Sequence, residues 1–287
     1  MLFLILCVAC SVSVSVLLKI AKRQSVVLEQ AVAVNYIMAI GLSFFLLKPQ
    51  FPDDLAILPW GVFLALGVLL PSIFIVMGRA VEYAGIVKSD AAQRLSLILP
   101  IIAAVTVFAE EVSQHRMIGV ILAFIALFCL LARSDSRQGK GGLWAVWSLI
   151  GVWFGYGVID ILFKQLSKSG SALPVSLVIA FAMGCVLMLL YITVKGQRWT
   201  SRSVVGGLLL GVFNFFNILF YIKSHQTFSA NPTLVFTAVN IGVIALGTLT
   251  GVLVFREKLR AINVIGLAFA VAAIVMLFYG QAWFVKS

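Results

Sequence analysis

Polar side chains are scarce in this chain, and four of them fall in register. Asn214, Asn217, Tyr221 and Ser224 recur at i, i+3, i+7 and i+10, which places them on one face of a helix. An amide offers donor and acceptor together, and a phenol adds a hydroxyl and a stacking face. Such a stripe suits recognition of a small polar molecule. The same groups also serve as hydrogen bonds that hold helices together in a membrane. Thr233, Thr237, Asn240, Gly247 and Gly251 lie near one face of the next apolar run. The glycines read as a packing seam, and Asn240 as a packing or a ligand group.

The charged pairs carry a second kind of chemistry. Asp90 and Arg94, with Gln93 beside them, and Asp160 and Lys164 are spaced i, i+4, where an acid and a base pair on one helix face. Pairing lowers the cost of both charges in apolar surroundings, and Lys164 can snorkel to water. The functional alternative is contact of Arg94 with an anionic group, or charge coupling in which Asp90, Asp160 and Lys164 take part. A proton-carrying carboxylate has to lose water, because desolvation favours its neutral form.

Two further sets complete the candidate site. Cys7, Ser11, Ser15 and Lys19 stand four apart, a small polar seam fit for close packing or for a cavity wall. Trp153, Tyr156 and Asp160 fall roughly along one face, within reach of a ligand. Gly151 and Gly155 form a small-xxx-small contact, and Pro71 and Pro100 are expected to kink their helices. Glu110 and Glu257 precede short helices and read as caps for them. Cys7-Val8-Ala9-Cys10 has redox or metal spacing but no His or acid nearby, so it reads as small hydrophobes. There is no metal-ligand spacing, no phosphate loop and no nucleophile with a base and an orienting group. The expectation is a protein that is not an enzyme and has no cofactor or metal.

The elements that must position these groups follow from composition. The 287 residues are 62% hydrophobic and 11% charged, against about 45–50% and about 25% for a soluble domain. That excludes a soluble enzyme, a nucleic-acid binder and a disordered chain, because such apolar surface cannot be hidden from water at this length. Ten runs approach the ~20 apolar residues a bilayer helix needs: 2–20, 30–47, 58–81, 86–108, 117–132, 143–163, 174–194, 204–223, 233–254 and 262–280. The fold class predicted is an all-α integral membrane protein with ten transmembrane helices and no extramembrane domain. The first run reads as a membrane helix rather than a signal peptide, since Met1 to Leu18 lacks Lys and Arg.

The net charge of +11 belongs to the loops. Odd-numbered loops carry Lys19, Lys22, Arg23, Arg79, Lys88, Arg133, Arg137, Lys140, Lys195, Arg198, Arg202, Arg256, Lys258 and Arg260. Even-numbered loops and termini carry Lys48, Arg116, Lys164, Lys168, Lys223 and Lys286. By the positive-inside rule, odd loops are cytoplasmic and both termini lie outside.

The two halves resemble each other. Val16-Leu17-Leu18-Lys19 matches Ile161-Leu162-Phe163-Lys164 at an offset of 145. Leu66-Gly67-Val68 matches Leu210-Gly211-Val212, and Arg79 matches Lys223, both at 144. Glu110-Glu111 with Ile118-Gly119 matches Glu257-Lys258 with Ile265-Gly266 at 147. Residues 1–137 and 138–287 are therefore read as five-helix repeats of a single membrane domain. Because five is odd, the second repeat enters the membrane from the opposite side, giving two inverted repeats.

These features resemble the drug/metabolite transporter superfamily, in its ten-helix EamA-like branch. The resemblance covers the whole chain. It rests on the five-plus-five layout, the minimal loops, Pro100 and the Glu110 and Glu257 turns with Ile-Gly following each. The family usually has Gly before that Glu, where this chain has Ala109 and Arg256, and often Pro in helix 9, where it has Asn240-Ile241-Gly242. The resemblance implies a central cavity lined by helices 1, 3, 4, 6, 8 and 9, and termini on the cytoplasmic side, opposite to the charge count. The expected function is secondary transport of a small polar metabolite, amino-acid-like or anionic, by alternating access. The expected setting is the inner cell membrane, as a multi-pass monomer or homodimer without nucleic-acid partners. The competing readings are a membrane-embedded enzyme acting on lipid-linked substrate and an accessory or scaffold subunit.

Overall fold

The structure is a computed structural model that describes residues 1–24, 26–51, 58–131, 142–168, 173–255 and 261–280; within these, the side chains of Lys19, Lys22, Arg23, Ile86, Val87, Asp90, Leu130, Leu131 and Phe255 are not described. Backbone amides have no water to bond in a bilayer, so long apolar runs satisfy them internally as helices. The described residues form eleven α-helices: α1 (Leu2–Arg23), α2 (Leu28–Leu42), α3 (Trp60–Ala84), α4 (Ile86–Leu95), α5 (Ile98–Thr106), α6 (Gln114–Leu131), α7 (Leu143–Ser167), α8 (Leu173–Val194), α9 (Ser201–Thr227), α10 (Pro232–Phe255) and α11 (Ala261–Tyr279). A π-helical turn, Ser43–Leu47, continues α2. No strand occurs among the described residues. Seven helices are long and apolar enough to cross a membrane, and three shorter apolar ones accompany them. Ile5, Leu64, Phe128, Phe154 and Leu253 are among many large apolar side chains left exposed, as a lipid-facing surface requires. The chain is a multi-pass membrane protein.

Each predicted run is realised as helix, and the fourth is broken. Pro100 has no N–H to give Ser96, so the chain leaves α4, turns through Ser96–Leu97 and restarts as α5. At the turn Leu99 N bonds Ser96 O at 2.9 Å instead of the carbonyl of Leu95. The Leu95 carbonyl so released accepts from Trp153 Nε1 of α7 at 3.1 Å. The expected kink is thus a break that docks α4 on α7.

The packing forms a closed ring. α1 packs on α9, α9 on α7, α7 on α3, α3 on α4, α5 on α10, and α10 on α1. These are the first, eighth, sixth, third, fourth and ninth runs. α2 and α8 pack outside it, on α9 and α3 respectively and on each other, and α6 pairs with α11. Close approach is made by glycine. A Cβ on Gly67 would lie 2.6 Å from Met183 Cβ, and one on Gly211 would lie 2.6 Å from Met38 Cβ. Gly151 and Gly155 of α7 admit Val76 and Ile73 of α3 in the same way, so the small-xxx-small pair is a packing seam.

Glu110 is not a cap for the helix that follows it. Its Oε2 accepts from Thr233 N at 2.8 Å, in the first turn of α10, and its Oε1 lies 3.6 Å from Arg116 Nη1. Ala109, at φ +52°, turns the chain through the left-handed region that favours glycine. Three residues, Glu111 to Ser113, then separate Glu110 from the start of α6, whereas α10 begins beside it. Glu257 lies outside the described residues.

Candidate functional site

Asp160, Tyr221 and Arg94 come together from three helices of the ring. Tyr221 OH of α9 donates to Asp160 Oδ1 of α7 at 2.9 Å, and Arg94 of α4 is near enough to interact electrostatically with Asp160. Tyr221 is buried, while Asp160 and Arg94 are half-buried. α7 can present Asp160 to α9 because Gly151 and Gly155 let it lie close against α3 on its other side. Cys7 of α1 also lies in the field of Asp160.

The expected pairing of Asp160 with Lys164 is not made. Lys164 is 2% exposed, and its Nζ donates to Ser229 O at 3.0 Å and His225 O at 3.5 Å. These carbonyls sit where α9 ends, the negative end of its dipole. The Phe108 ring lies 5.9 Å from the same ammonium. One helical turn separates the two side chains on α7, and each meets a different neighbour. Lys164 thus ties the α9–α10 turn to α7, and Gln226 Nε2 adds a bond to Ser167 O at 3.3 Å. The partner proposed for Arg94 by spacing, Asp90, has a side chain outside the described set.

The asparagine stripe divides among its neighbours. Asn214 Nδ2 donates to Asn35 Oδ1 of α2 at 3.1 Å, and Asn217 Nδ2 donates to Cys7 O of α1 at 3.0 Å. α9 crosses α2, α1 and α7 in turn, so one stripe of side chains finds three partners. Among the described residues each amide's oxygen has no further hydrogen-bond partner, and both side chains are half-buried. They bond helices together and retain an acceptor for water or a solute. Asn240 Nδ2 bonds back to Phe236 O of its own helix at 3.1 Å. Ser15 is exposed and bonds Ser11 O at 3.1 Å, again within one helix. Ser11, Tyr156 and Trp153 are half-buried. Trp153 serves the α4 break, and Tyr156 packs against the main apolar core.

Two polar features were not singled out by spacing. Gln30 and Asn35 of α2 are wholly buried; Gln30 staples α2 to the α8–α9 connection through Arg198 O at 2.7 Å and Thr200 N at 3.2 Å. Their signal was present as two amides inside an apolar run. His225, 0% exposed, stands edge-on to Tyr221 with ring centroids 4.8 Å apart and contacts Phe236 at 4.6 Å. In the sequence it lies near the end of an apolar run, with no spacing that marks it. Among the described residues no three His, Cys, Asp or Glu side chains gather as a metal ion requires. A cavity of about 410 Å³ lies between α1, α2 and α9, and one of about 260 Å³ between α2, α3 and α8. Neither is lined by Arg94, Asp160, Asn217 or Tyr221.

No protein-family model matches the chain. An uncharacterized protein of Haemophilus influenzae (strain ATCC 51907 / DSM 11121 / KW20 / Rd) is 56% identical over 282 residues, covering 96% of this chain and 97% of that one. The chain belongs to that protein's family. Such identity across nearly the full length of both members carries the whole helix order, not one motif. A solved crystal structure of a protein with 13% sequence identity superposes with a TM-score of 0.75, over 100% of this chain and 98% of that one. At that identity the likeness is one of fold.

Proposed function

We propose that this chain is a secondary transporter of the drug/metabolite superfamily, EamA-like, that moves a small polar metabolite across the inner cell membrane by alternating access. The observation that carries this reading is the Tyr221–Asp160 bond between two helices of the six-run ring, with Arg94 of a third close enough to act on Asp160. Charged groups within a membrane bundle are costly and ordinarily mark a solute or ion path. An arginine beside an acid and a phenol offers complementary contacts to an amino-acid-like or anionic solute, and Asn214 and Asn217 add free carbonyl oxygens.

Support for two inverted five-helix repeats comes from the packing. Exchange of halves turns the α1–α9 contact into α7–α3, and α2–α9 into α8–α3. It also turns the Gly67–Met183 approach into Gly211–Met38, at offsets of 144 and 145. Two similar halves packed antiparallel can rock about a shared site and open to either face. In this reading Asp160 takes the coupling proton, and Lys164 holds the α9–α10 turn rather than the solute. The protein works as a monomer or a homodimer.

The test is flux. Purified protein is screened for metabolites that raise its melting temperature, and the hits are assayed in proteoliposomes with and without a pH gradient. Solute uptake that depends on protein and gradient is expected. Flux indifferent to the gradient removes proton coupling, and lipid turnover without solute flux overturns transport.

A further inference from the structure

The cavity between α2, α3 and α8 shares no lining residue with the polar cluster and is built differently. Glu29 stands at the start of α2, Arg79 and Glu82 in the last turns of α3, and Lys195 just beyond α8. All four line one cavity of about 260 Å³. It is therefore at a membrane–water boundary, since three helix ends meet there. It is also on the face of the basic loops, where loops 1, 3 and 7 emerge. Its inner part is apolar, with Phe74 and Ile75 half-buried one to two turns deeper.

Charged side chains at helix ends ordinarily snorkel into water, each alone. Here two acids and two bases face the same concavity. Among the described residues Glu29, Arg79 and Lys195 form no ion pair with one another, and Lys195 lies over the Tyr191 ring at 5.6 Å. A concavity that offers both signs at its rim and hydrocarbon within is complementary to a molecule with both charges at one end and an apolar tail.

We propose that this cavity binds a phospholipid with a primary-amine headgroup, its phosphate held by Arg79 and Lys195, its ammonium by Glu29 and Glu82, and the start of an acyl chain by Phe74 and Ile75. The cavity is smaller than the ~300–1,000 Å³ of drug-sized ligand sites, which suits a headgroup whose tail continues into the bilayer. The carboxylates are selective because an ammonium gives them N–H donors, whereas a choline has none and a glycerol headgroup carries no cation. The proposal stands apart from the transport reading, and its test needs no transported solute.

The test uses full-length protein in detergent with phosphatidylethanolamine, phosphatidylcholine or phosphatidylglycerol added, bound lipid being counted by native mass spectrometry. The wild type is expected to retain phosphatidylethanolamine about fivefold better than either of the others, the effect of one or two charge-assisted bonds at a partly wet site. Glu29→Gln with Glu82→Gln removes the preference, and Arg79→Ala with Lys195→Ala lowers retention of all three. Equal retention by the wild type overturns the proposal, as does an unchanged preference in variants that elute like the wild type. A photoactivatable phosphatidylethanolamine cross-linked to the wild type supplies a reading independent of variant folding. Adducts on residues 74–82 and 188–195 support the site, and adducts confined elsewhere overturn it.

Discussion

Under the proposed repeat, α3 and α9 are counterparts, and they do opposite work. Both approach a peripheral helix through a glycine, Gly67 against Met183 and Gly211 against Met38. Yet where α9 carries Asn214, Asn217 and Tyr221, α3 carries Leu70, Ile73 and Met77 at the offset of 144. The α3–α7 seam is dry: Ile73 is 5% exposed and fills the space over Gly155. The α1–α9 seam is bridged by the Asn217 amide on Cys7 O, and α9 reaches α7 through Tyr221 and Asp160. Duplicated packing and unduplicated chemistry therefore coexist. Backbone approach depends on residue size, which both helices keep, while side-chain bonds between helices depend on polar groups, which α9 supplies at these positions and α3 does not.

This contrast can be tested in order of expected effect. The largest is at Asp160, whose place in the first half is taken by Ser15 at an offset of 145. Asp160→Asn keeps an oxygen that accepts from Tyr221 but removes the charge and the group proposed to carry the proton, so uptake in proteoliposomes falls about 10-fold or more, while Ser15→Ala, exposed and bonded within its own helix, leaves uptake near wild type. If both substitutions act alike, the halves share the chemistry and the asymmetry is lost.

The next effect is steric. Gly67→Ala and Gly211→Ala each force a Cβ into contact, and each is expected to cost about 2 kcal/mol in unfolding experiments in detergent. Gly211→Ala is the worse of the two, because the carbonyl oxygen of Asn35 stands 2.9 Å from the new Cβ, whereas the three nearest atoms at Gly67 all belong to the Met183 side chain. Tolerance at one position alone breaks the equivalence of the two contacts.

Exchanging seam chemistry comes third. Ile73→Asn buries an amide in the α3–α7 seam and is expected to cost about 1–3 kcal/mol. Asn217→Leu loses one interhelical bond, worth about 0.6 kcal/mol on average in a membrane. Thermal melting of the two variants separates them if the first seam is dry and the second polar. The smallest effect is at Ala109, at φ +52°. Ala109→Gly relieves left-handed strain against a looser unfolded chain and should raise stability by about 0.5 kcal/mol, read as a small rise in melting temperature.

How much of this could be read from residue order differs by element. All ten apolar runs are helical, because the hydrocarbon requirement for internal hydrogen bonds depends on composition alone. Pro100 announced trouble in the fourth run, but not that Trp153 would take the carbonyl it releases. Asp160 and Lys164 satisfied a pairing rule that holds for an isolated helix, and the tertiary neighbours overrode it: Tyr221 on one side, the carbonyls of His225 and Ser229 on the other. Asn35 and Gln30, two amides in one run, form no stripe that marks them, although both are buried, Asn35 bonded to Asn214 of α9 and Gln30 to the α8–α9 connection.

By itself the sequence determined that this is an all-helical, multi-pass membrane protein, and it carries the offset matches on which the proposed repeat rests. Those properties follow from summed hydrophobicity and from spacing, which local order contains. The tertiary structure decided which polar groups meet. It assigned Glu110 to α10 and not α6, divided one asparagine stripe among three neighbours, and brought Arg94 near Asp160 from a different half. A side chain's partner across a bundle depends on how helices cross, and crossing is set by glycines and breaks acting on many residues at once. No spacing within a single run encodes it.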